Sequence, residues 1–343
     1  MKRLKVLLGY KAEPEELEII KQSWSPEIEV IVPQSRDAET MKRLLKDVDA
    51  VVGDLPSSRY LLDAANLKLI HTTGHGINSL LDPKVRQFLL EKKVTVAKAS
   101  PAAAPIAEFI IAGMVTITRR VFKMHTNLVD NGSWSESTKT LRMQGLMGGE
   151  LQNSVLGLMG FGAIGQETAL RAKAFGMTVG TLTRRPETIE KDKYGISFAA
   201  SSKDERQIAE FLGRCDYLVN VMPLTPETRN FLNAGRFAAM KDGAYFVNIS
   251  RGPIVVEEAL WEALRSGKLA GAALDVWCAE EVPGPRSYPI PYPIHHYNVI
   301  MTPHYAGATK EVRARALRGI GDNLRRWLNN EPLVNLANLE NGY

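Results

Sequence analysis

Val155-Leu156-Gly157-Leu158-Met159-Gly160-Phe161-Gly162-Ala163-Ile164-Gly165 is the stretch on which the reading of the fold turns. Val155 to Met159 has the length and apolar character of a short buried strand. Gly160, Gly162 and Gly165 then follow at the spacing G-x-G-x-x-G. A helical run from Gln166 to Phe175 comes next, closed by Gly176, and Thr178 to Leu182 reads as a second strand. Strand, glycine loop, helix and strand in this order make a dinucleotide site. Gly160 permits the tight turn, Gly162 lets backbone approach a pyrophosphate, and Gly165 lets helix and strand pack closely. Ala163, Ile164 and Gly165 open the helix, whose unpaired N–H groups and partial positive charge suit phosphate. The motif alone would be weak; its position between strand and helix gives it meaning.

The chain around this stretch has 343 residues, enough for two domains. With 45% hydrophobic and 24% charged residues it has an ordinary globular composition. It lacks the long apolar run of a membrane span, and the start Met1-Lys2-Arg3-Leu4-Lys5-Val6-Leu7-Leu8 reads as a first strand, not a signal peptide. Cys215 and Cys278 form neither a disulfide framework nor a metal spacing, so a reducing, cytoplasmic setting without a metal is expected. The net charge of +5 is mild and unclustered, which suits an anionic small molecule and gives no sign of nucleic acid.

Before residue 99, strand-like runs at 5–8, 28–32, 50–52 and 67–71 alternate with helical runs at 15–24 and 38–45. Such alternation predicts a parallel sheet covered by helices. The loop Thr72-Thr73-Gly74-His75-Gly76-Ile77-Asn78 follows a strand end, where open α/β sheets bind ligands. Residues 101–125 predict one long apolar helix starting near Pro105, and 135–150 a polar connection. Beyond the glycine loop, strands are predicted at 217–222, 245–249, 272–276 and 299–301, with helices at 257–266 and 310–329. Pro283, Pro285, Pro289, Pro291 and Pro293 mark a stiff surface loop.

The strand at 178–182 also speaks to coenzyme choice. It leads to Thr183-Arg184-Arg185, where an NAD enzyme usually carries an acidic residue for the ribose hydroxyls. Two guanidiniums in its place favour a 2′-phosphate, so NADP is expected over NAD.

The tails of the later strands are distinctive: Pro223-Leu224-Thr225-Pro226-Glu227-Thr228, Asn248-Ile249-Ser250-Arg251-Gly252-Pro253, Leu274-Asp275-Val276-Trp277 and Thr302-Pro303-His304. With the glycine loop they closely resemble the D-2-hydroxyacid dehydrogenase family, along essentially the whole chain. The resemblance implies an α/β protein with two Rossmann-like doubly wound domains, the nucleotide-binding one inserted into a flavodoxin-like substrate domain. Residues 1–98 and 311–343 would form the substrate domain and 99–310 the NAD(P)-binding domain, with a homodimer as the usual assembly. The cleft between the domains would hold a small 2-oxo or 2-hydroxy acid, glyoxylate- or hydroxypyruvate-like.

Residue by residue, the resemblance puts the catalytic trio at Arg251, Glu280 and His304. A guanidinium can grip a carboxylate and polarise the adjacent carbonyl. A histidine can deliver the proton as hydride reaches carbon, and a carboxylate on its other nitrogen would orient it. Glu280 has the family's spacing from Asp275; Glu281, next to it, is the alternative acid. His75 and Gly76 match the loop that meets the substrate carboxylate. Coenzyme contacts fall at Met222, Pro223 and Thr228, at Ile249 and Ser250, at Gly307, and at Asp275 toward the nicotinamide carboxamide. A coenzyme-sensing binding protein, like the family's corepressors, is the alternative to a reductase.

Overall fold

A computed structural model of the chain describes residues 3–132, 142–143, 147–281, 289–340 and 342. The connection read at 135–150 and the proline-rich stretch 283–293 lie partly outside these residues, as does the side chain of Glu281. The chain divides into two compact units. One runs to Ala102 and resumes at Ala308; the other is Ala103–Gly307.

The first unit holds five parallel strands: β1 (Leu4–Leu8), β2 (Ile28–Ile31), β3 (Ala50–Val52), β4 (Leu69–Thr72) and β5 (Thr95–Lys98). Their order is β2-β1-β3-β4-β5, the doubly wound arrangement of flavodoxin-like sheets. Both faces are buried, as a parallel sheet requires. Val6 and Leu8 pack with Trp24, Leu317 and Ile320 on one face, while Leu7 packs with Met41, Leu45 and Leu89 on the other. The C-terminal helix Lys310–Leu328 therefore completes a sheet begun at the other end of the chain. Trp24 Nε1 donates to the Leu317 carbonyl at 2.8 Å across that contact.

The second unit has seven parallel strands: β6 (Val155–Met159), β7 (Thr178–Thr183), β8 (Ile196–Ser201), β9 (Tyr217–Asn220), β10 (Ala244–Asn248), β11 (Leu269–Leu274) and β12 (Val299–Met301). The order is β12-β11-β10-β9-β6-β7-β8. Chain order reverses direction between β6 and β9, the switch point at which such sheets bind dinucleotides.

Three local expectations are corrected. β5 and β8, which the sequence pattern did not disclose, are edge strands of their sheets; their buried and half-buried residues do not alternate strictly, so the period-two signal is weak. The strands predicted to reach 222 and 276 end at Asn220 and Leu274, because the residues beyond turn away to form the site. The single helix predicted over 101–125 is two helices, Ala103–Thr118 and Val121–Asn131, broken where Arg120 takes a left-handed φ of 52°. The first helix buries Ile106, Ile110, Met114 and Ile117, whereas the second leaves Val121, Phe122, Leu128 and Val129 exposed.

Candidate active site

In the second unit every proposed site residue lies at or beyond the carboxyl end of a strand. The glycine loop follows β6, and Thr183 ends β7 just before Arg184 and Arg185. Met222, Pro223 and Thr228 follow β9, and Ile249, Ser250 and Arg251 follow β10. Asp275 and Glu280 follow β11, and His304 and Gly307 follow β12. Parallel pairing gathers these tails on one edge. Asn248 is in register with Leu274, and Leu274 with Met301.

The three glycines of the loop are needed for three different reasons. Gly160 has φ +99° and accepts no side chain without strain. A Cβ on Gly165 would stand 2.9 Å from the Gly160 carbonyl oxygen, so this glycine lets the helix Ala163–Ala174 close onto the loop. Gly162 is the helix N-cap with φ −80°, which any residue can adopt. Apart from its own chain neighbours, no described residue places an atom within 4 Å of where its Cβ would be. Neither backbone nor packing demands glycine there, and the space fits the pyrophosphate of a dinucleotide arriving over the helix N-terminus. The first helical bond, from Gln166 N to the Gly162 carbonyl, leaves the N–H groups of Ala163, Ile164 and Gly165 outside the helix ladder. Arg184 and Arg185 are exposed at the end of β7. The charge of Arg184 reaches Glu227, whose carboxyl is held below its ordinary range first by a Thr225 hydroxyl bond and less by that guanidinium.

Buried Asn220 and Asn248, which sequence reasoning missed, brace the next two tails. Asn220 Nδ2 donates to Asn248 Oδ1 at 3.0 Å. That same oxygen accepts from Ser250 N at 3.3 Å, and Asn248 Nδ2 donates to the Arg251 carbonyl at 3.4 Å. Both are the last residues of apolar strands and pair in register; a buried amide repeated at that place is the signal that could have found them. The Ser250 hydroxyl donates to the Met222 carbonyl, and the Thr228 hydroxyl donates to the Pro223 carbonyl at 2.7 Å. Both of these hydroxyls, assigned to the coenzyme by resemblance, thus serve the shape of their loops.

Arg251, Glu280 and His304 converge. Gly252 packs so closely on the Trp277–Cys278 peptide that a Cβ there would fall 2.1 Å from the Trp277 carbonyl carbon. That contact sets the Arg251 tail against the short turn Cys278–Glu281. Arg251 is half-buried and donates from Nη1 to the Ser250 carbonyl at 2.7 Å. Burial holds its guanidinium below its ordinary value, while the charge of Glu280 acts in the opposite sense. Glu280 Oε1 accepts from Trp277 N at 2.8 Å, and Glu280 Oε2 lies 2.6 Å from His304 Nδ1. With Nδ1 held by the carboxylate, Nε2 is the nitrogen left to serve a reacting group. Glu280 is thus on the histidine, while the side chain of the adjacent Glu281 lies outside the described residues.

His304 has a left-handed φ of 57°, a conformation that costs a non-glycine residue ~1–2 kcal/mol. Asp275 holds that turn. Its carboxylate is 1% exposed. Oδ1 accepts from Thr302 Oγ1 and from Tyr305 N, both at 2.6 Å, and Oδ2 accepts from Ala306 N at 2.9 Å. The resemblance gives Asp275 to the carboxamide; its oxygens also accept the bonds of the His304 turn.

His75 and Gly76 belong to the first unit, in the loop after β4. His71 on β4 is 1% exposed, and burial pushes its imidazole down to about 4 against the opposing bond to the Thr72 carbonyl. Asn323 of the C-terminal helix donates to His71 Nε2 at 2.9 Å. The neutral ring is therefore clamped directly ahead of the loop.

Comparison with known proteins decides the family. The model for the D-isomer specific 2-hydroxyacid dehydrogenase NAD binding domain matches residues 111–306. The chain belongs to the D-isomer specific 2-hydroxyacid dehydrogenases. A glyoxylate reductase of Thermofilum pendens is 31% identical over 320 residues, covering 93% of this chain and 87% of that protein. A D-3-phosphoglycerate dehydrogenase of Methanocaldococcus jannaschii is 31% identical over 319 residues, covering 91% of this chain. This chain spans 56% of that relative's length. Among solved structures, an NADPH-dependent glyoxylate/hydroxypyruvate reductase from Sinorhizobium meliloti, in complex with NADP and sulfate, superposes with a TM-score of 0.77. It is 26% identical and covers 99% of this chain and 100% of its own. The chain therefore carries its family's NAD-binding domain on the seven-stranded sheet.

Proposed function

We propose that the chain reduces a small 2-oxo acid, of the glyoxylate or hydroxypyruvate kind, to the D-2-hydroxy acid with NADPH. The observation that carries this reading is the Glu280–His304 pair at 2.6 Å, which joins the tails of β11 and β12, with Arg251 on the tail of the next strand, β10. The bound dinucleotide supplies the hydride. Gly162 leaves room for its pyrophosphate, and the N–H groups of Ala163, Ile164 and Gly165 face its charge. Thr183, Arg184 and Arg185 take the adenosine end, where guanidiniums favour a 2′-phosphate. Met222, Pro223, Ile249, Ser250 and Gly307 line the remaining strand ends. The Arg251 guanidinium grips the substrate carboxylate and carbonyl oxygen together, drawing electron density from the carbon that is reduced. His304 Nε2 gives its proton to the oxygen as negative charge builds there, and Glu280 holds Nδ1 and balances the imidazolium. His75 and Gly76 are assigned to the substrate carboxylate on resemblance alone. A second copy covers the apolar face of helix Val121–Asn131, where Phe122 and Val129 are exposed.

The test is NADPH oxidation, followed at 340 nm, with glyoxylate, hydroxypyruvate, pyruvate and 3-phosphohydroxypyruvate, each also run with NADH. The expected result is turnover of the smaller acids, faster with NADPH, and a D-configured product from hydroxypyruvate by chiral chromatography. Absence of turnover with all four acids and both coenzymes would overturn the reading.

A further inference from the structure

We infer that Tyr194 is a positioning residue for coenzyme choice, fixing the segment that carries Arg184 and Arg185 onto the glycine loop. This rests on the reading of those arginines as receptors of a 2′-phosphate. In a dinucleotide the ribose sets the separation between pyrophosphate and 2′-phosphate, so a protein that binds both must hold its two receptors to match. Here the receptors lie on different tails. The glycine loop follows β6, whereas Arg184 and Arg185 follow β7 and are exposed. A long, rotamer-rich side chain on a loose segment spends much of its binding energy on being ordered. The structure pins this segment at three points. At its start the Thr183 carbonyl accepts the Ser202 N–H at 2.9 Å, just beyond β8. Next, the Arg185 carbonyl accepts the Thr188 hydroxyl at 2.9 Å and the Thr188 N–H at 3.2 Å, which closes a short turn. At its end the short helix Lys191–Tyr194 docks on the phosphate side. The Tyr194 ring meets Phe161, the residue between Gly160 and Gly162, edge-on with centroids 5.4 Å apart. The Tyr194 hydroxyl donates to Gln166 Oε1 at 3.1 Å, on the first turns of the helix Ala163–Ala174. Gly195 then takes a left-handed φ of 66°, and a Cβ there would lie 2.7 Å from Lys173 Cδ of the same helix. The first two points shape the segment itself; the third joins it to the loop that meets the pyrophosphate. Tyr194 makes that join twice, through its ring and through its hydroxyl.

The test titrates NADPH and NADH, by fluorescence, into the wild-type chain and into Tyr194→Ala. The ratio of the two dissociation constants should move at least fivefold against NADPH, with NADH binding within twofold of wild type, because NADH has no 2′-phosphate for the segment to meet. Tyr194→Phe keeps the ring on Phe161 and should hold the ratio within threefold of wild type. In an Arg184→Ala/Arg185→Ala background, Tyr194→Ala should change the ratio by less than twofold, because no charge is left to place. Without coenzyme, amide exchange over residues 184–195, read by mass spectrometry, should quicken at least fivefold in Tyr194→Ala. Tyr194→Leu keeps apolar bulk and makes the same comparison should Tyr194→Ala fail to fold; its ratio should fall at least threefold. Equal losses for both coenzymes would overturn the inference and leave Tyr194 a packing residue. So would a further fivefold fall in the double-alanine background, or amide exchange that does not change. A wild-type chain that binds NADH as tightly as NADPH would refute the 2′-phosphate reading and the inference with it. A preference for NADPH that Tyr194→Ala leaves intact would refute the inference alone.

Discussion

Gly162→Ala separates a glycine kept for a ligand from one kept for the fold. The backbone at Gly162 has φ −80° and ψ −166°, and apart from its chain neighbours no described residue places an atom within 4 Å of the new methyl. Two small terms act on stability. Alanine reduces the freedom of the unfolded chain, a gain of ~0.4–1 kcal/mol. It is also a poorer N-cap than glycine, a loss of ~0.5–1 kcal/mol. These offset each other, so the urea midpoint should move by less than about 1 kcal/mol equivalent. Binding should behave differently. A methyl placed where the pyrophosphate meets backbone costs ~1–3 kcal/mol by overpacking, which is a loss of roughly 5- to 150-fold in NADPH affinity. Gly165→Ala is the contrasting variant, since its Cβ would stand 2.9 Å from the Gly160 carbonyl oxygen; it should lose stability as well as binding. The assays are urea unfolding and NADPH titration by fluorescence. A Gly162→Ala protein that binds NADPH as wild type does would refute the reasoning, because the open space would then not belong to the coenzyme.

Further outcomes follow from other parts of the structure. His71 is buried and neutral, with its pKa near 4 in the fold against ~6.5 unfolded. The unfolded chain therefore binds the extra proton first, so stability is full above pH ~6.5 and falls by about 3 kcal/mol as pH drops to 4; urea unfolding of His71→Gln should lack this component, and an identical pH slope in both proteins would contradict it. Arg251→Ala should cost ~2–5 kcal/mol of transition-state stabilisation, and Arg251→Lys should restore only part, because a point charge lacks the planar fork; steady-state kcat/KM checks both. Arg184→Ala with Arg185→Ala should lower kcat/KM at least tenfold with NADPH and leave NADH nearly unchanged, since ~1.5 kcal/mol or more rides on bonds to a charged group; equal effects on both coenzymes would deny the phosphate contact.

Much of this was legible in the chain before any coordinates, for a physical reason. Dinucleotide binding needs glycines at fixed offsets from a strand end, and Gly160, Gly162 and Gly165 stand at them. Arg251 and His304 were singled out by the family resemblance of their strand tails, since neither residue is distinctive by itself. The sequence favoured Glu280 as the partner of His304 with Glu281 beside it as the alternative, and the structure describes Glu280 on that histidine. What stayed hidden depends on long-range contact. The Asn220–Asn248 bond spans 28 residues, and the clamp of Asp275 on Ala306 spans 31. Neither leaves a local periodicity. Gly252 reads as an ordinary turn glycine until the Trp277–Cys278 peptide is seen against it. The helix break at Arg120 was likewise hidden, because Arg119 and Arg120 are ordinary helix residues and only the left-handed φ of Arg120 reveals it.

The most direct measurement of the central claim is a single turnover in the stopped-flow instrument. NADPH-loaded protein is mixed with glyoxylate or hydroxypyruvate and the absorbance at 340 nm is followed, for the wild-type chain and for His304→Gln. The account predicts that His304→Gln binds NADPH within threefold of wild type and transfers hydride ~10²–10⁴-fold more slowly, the range for a lost general acid. A His304→Gln protein that completes the turnover within twofold of the wild-type rate would contradict it.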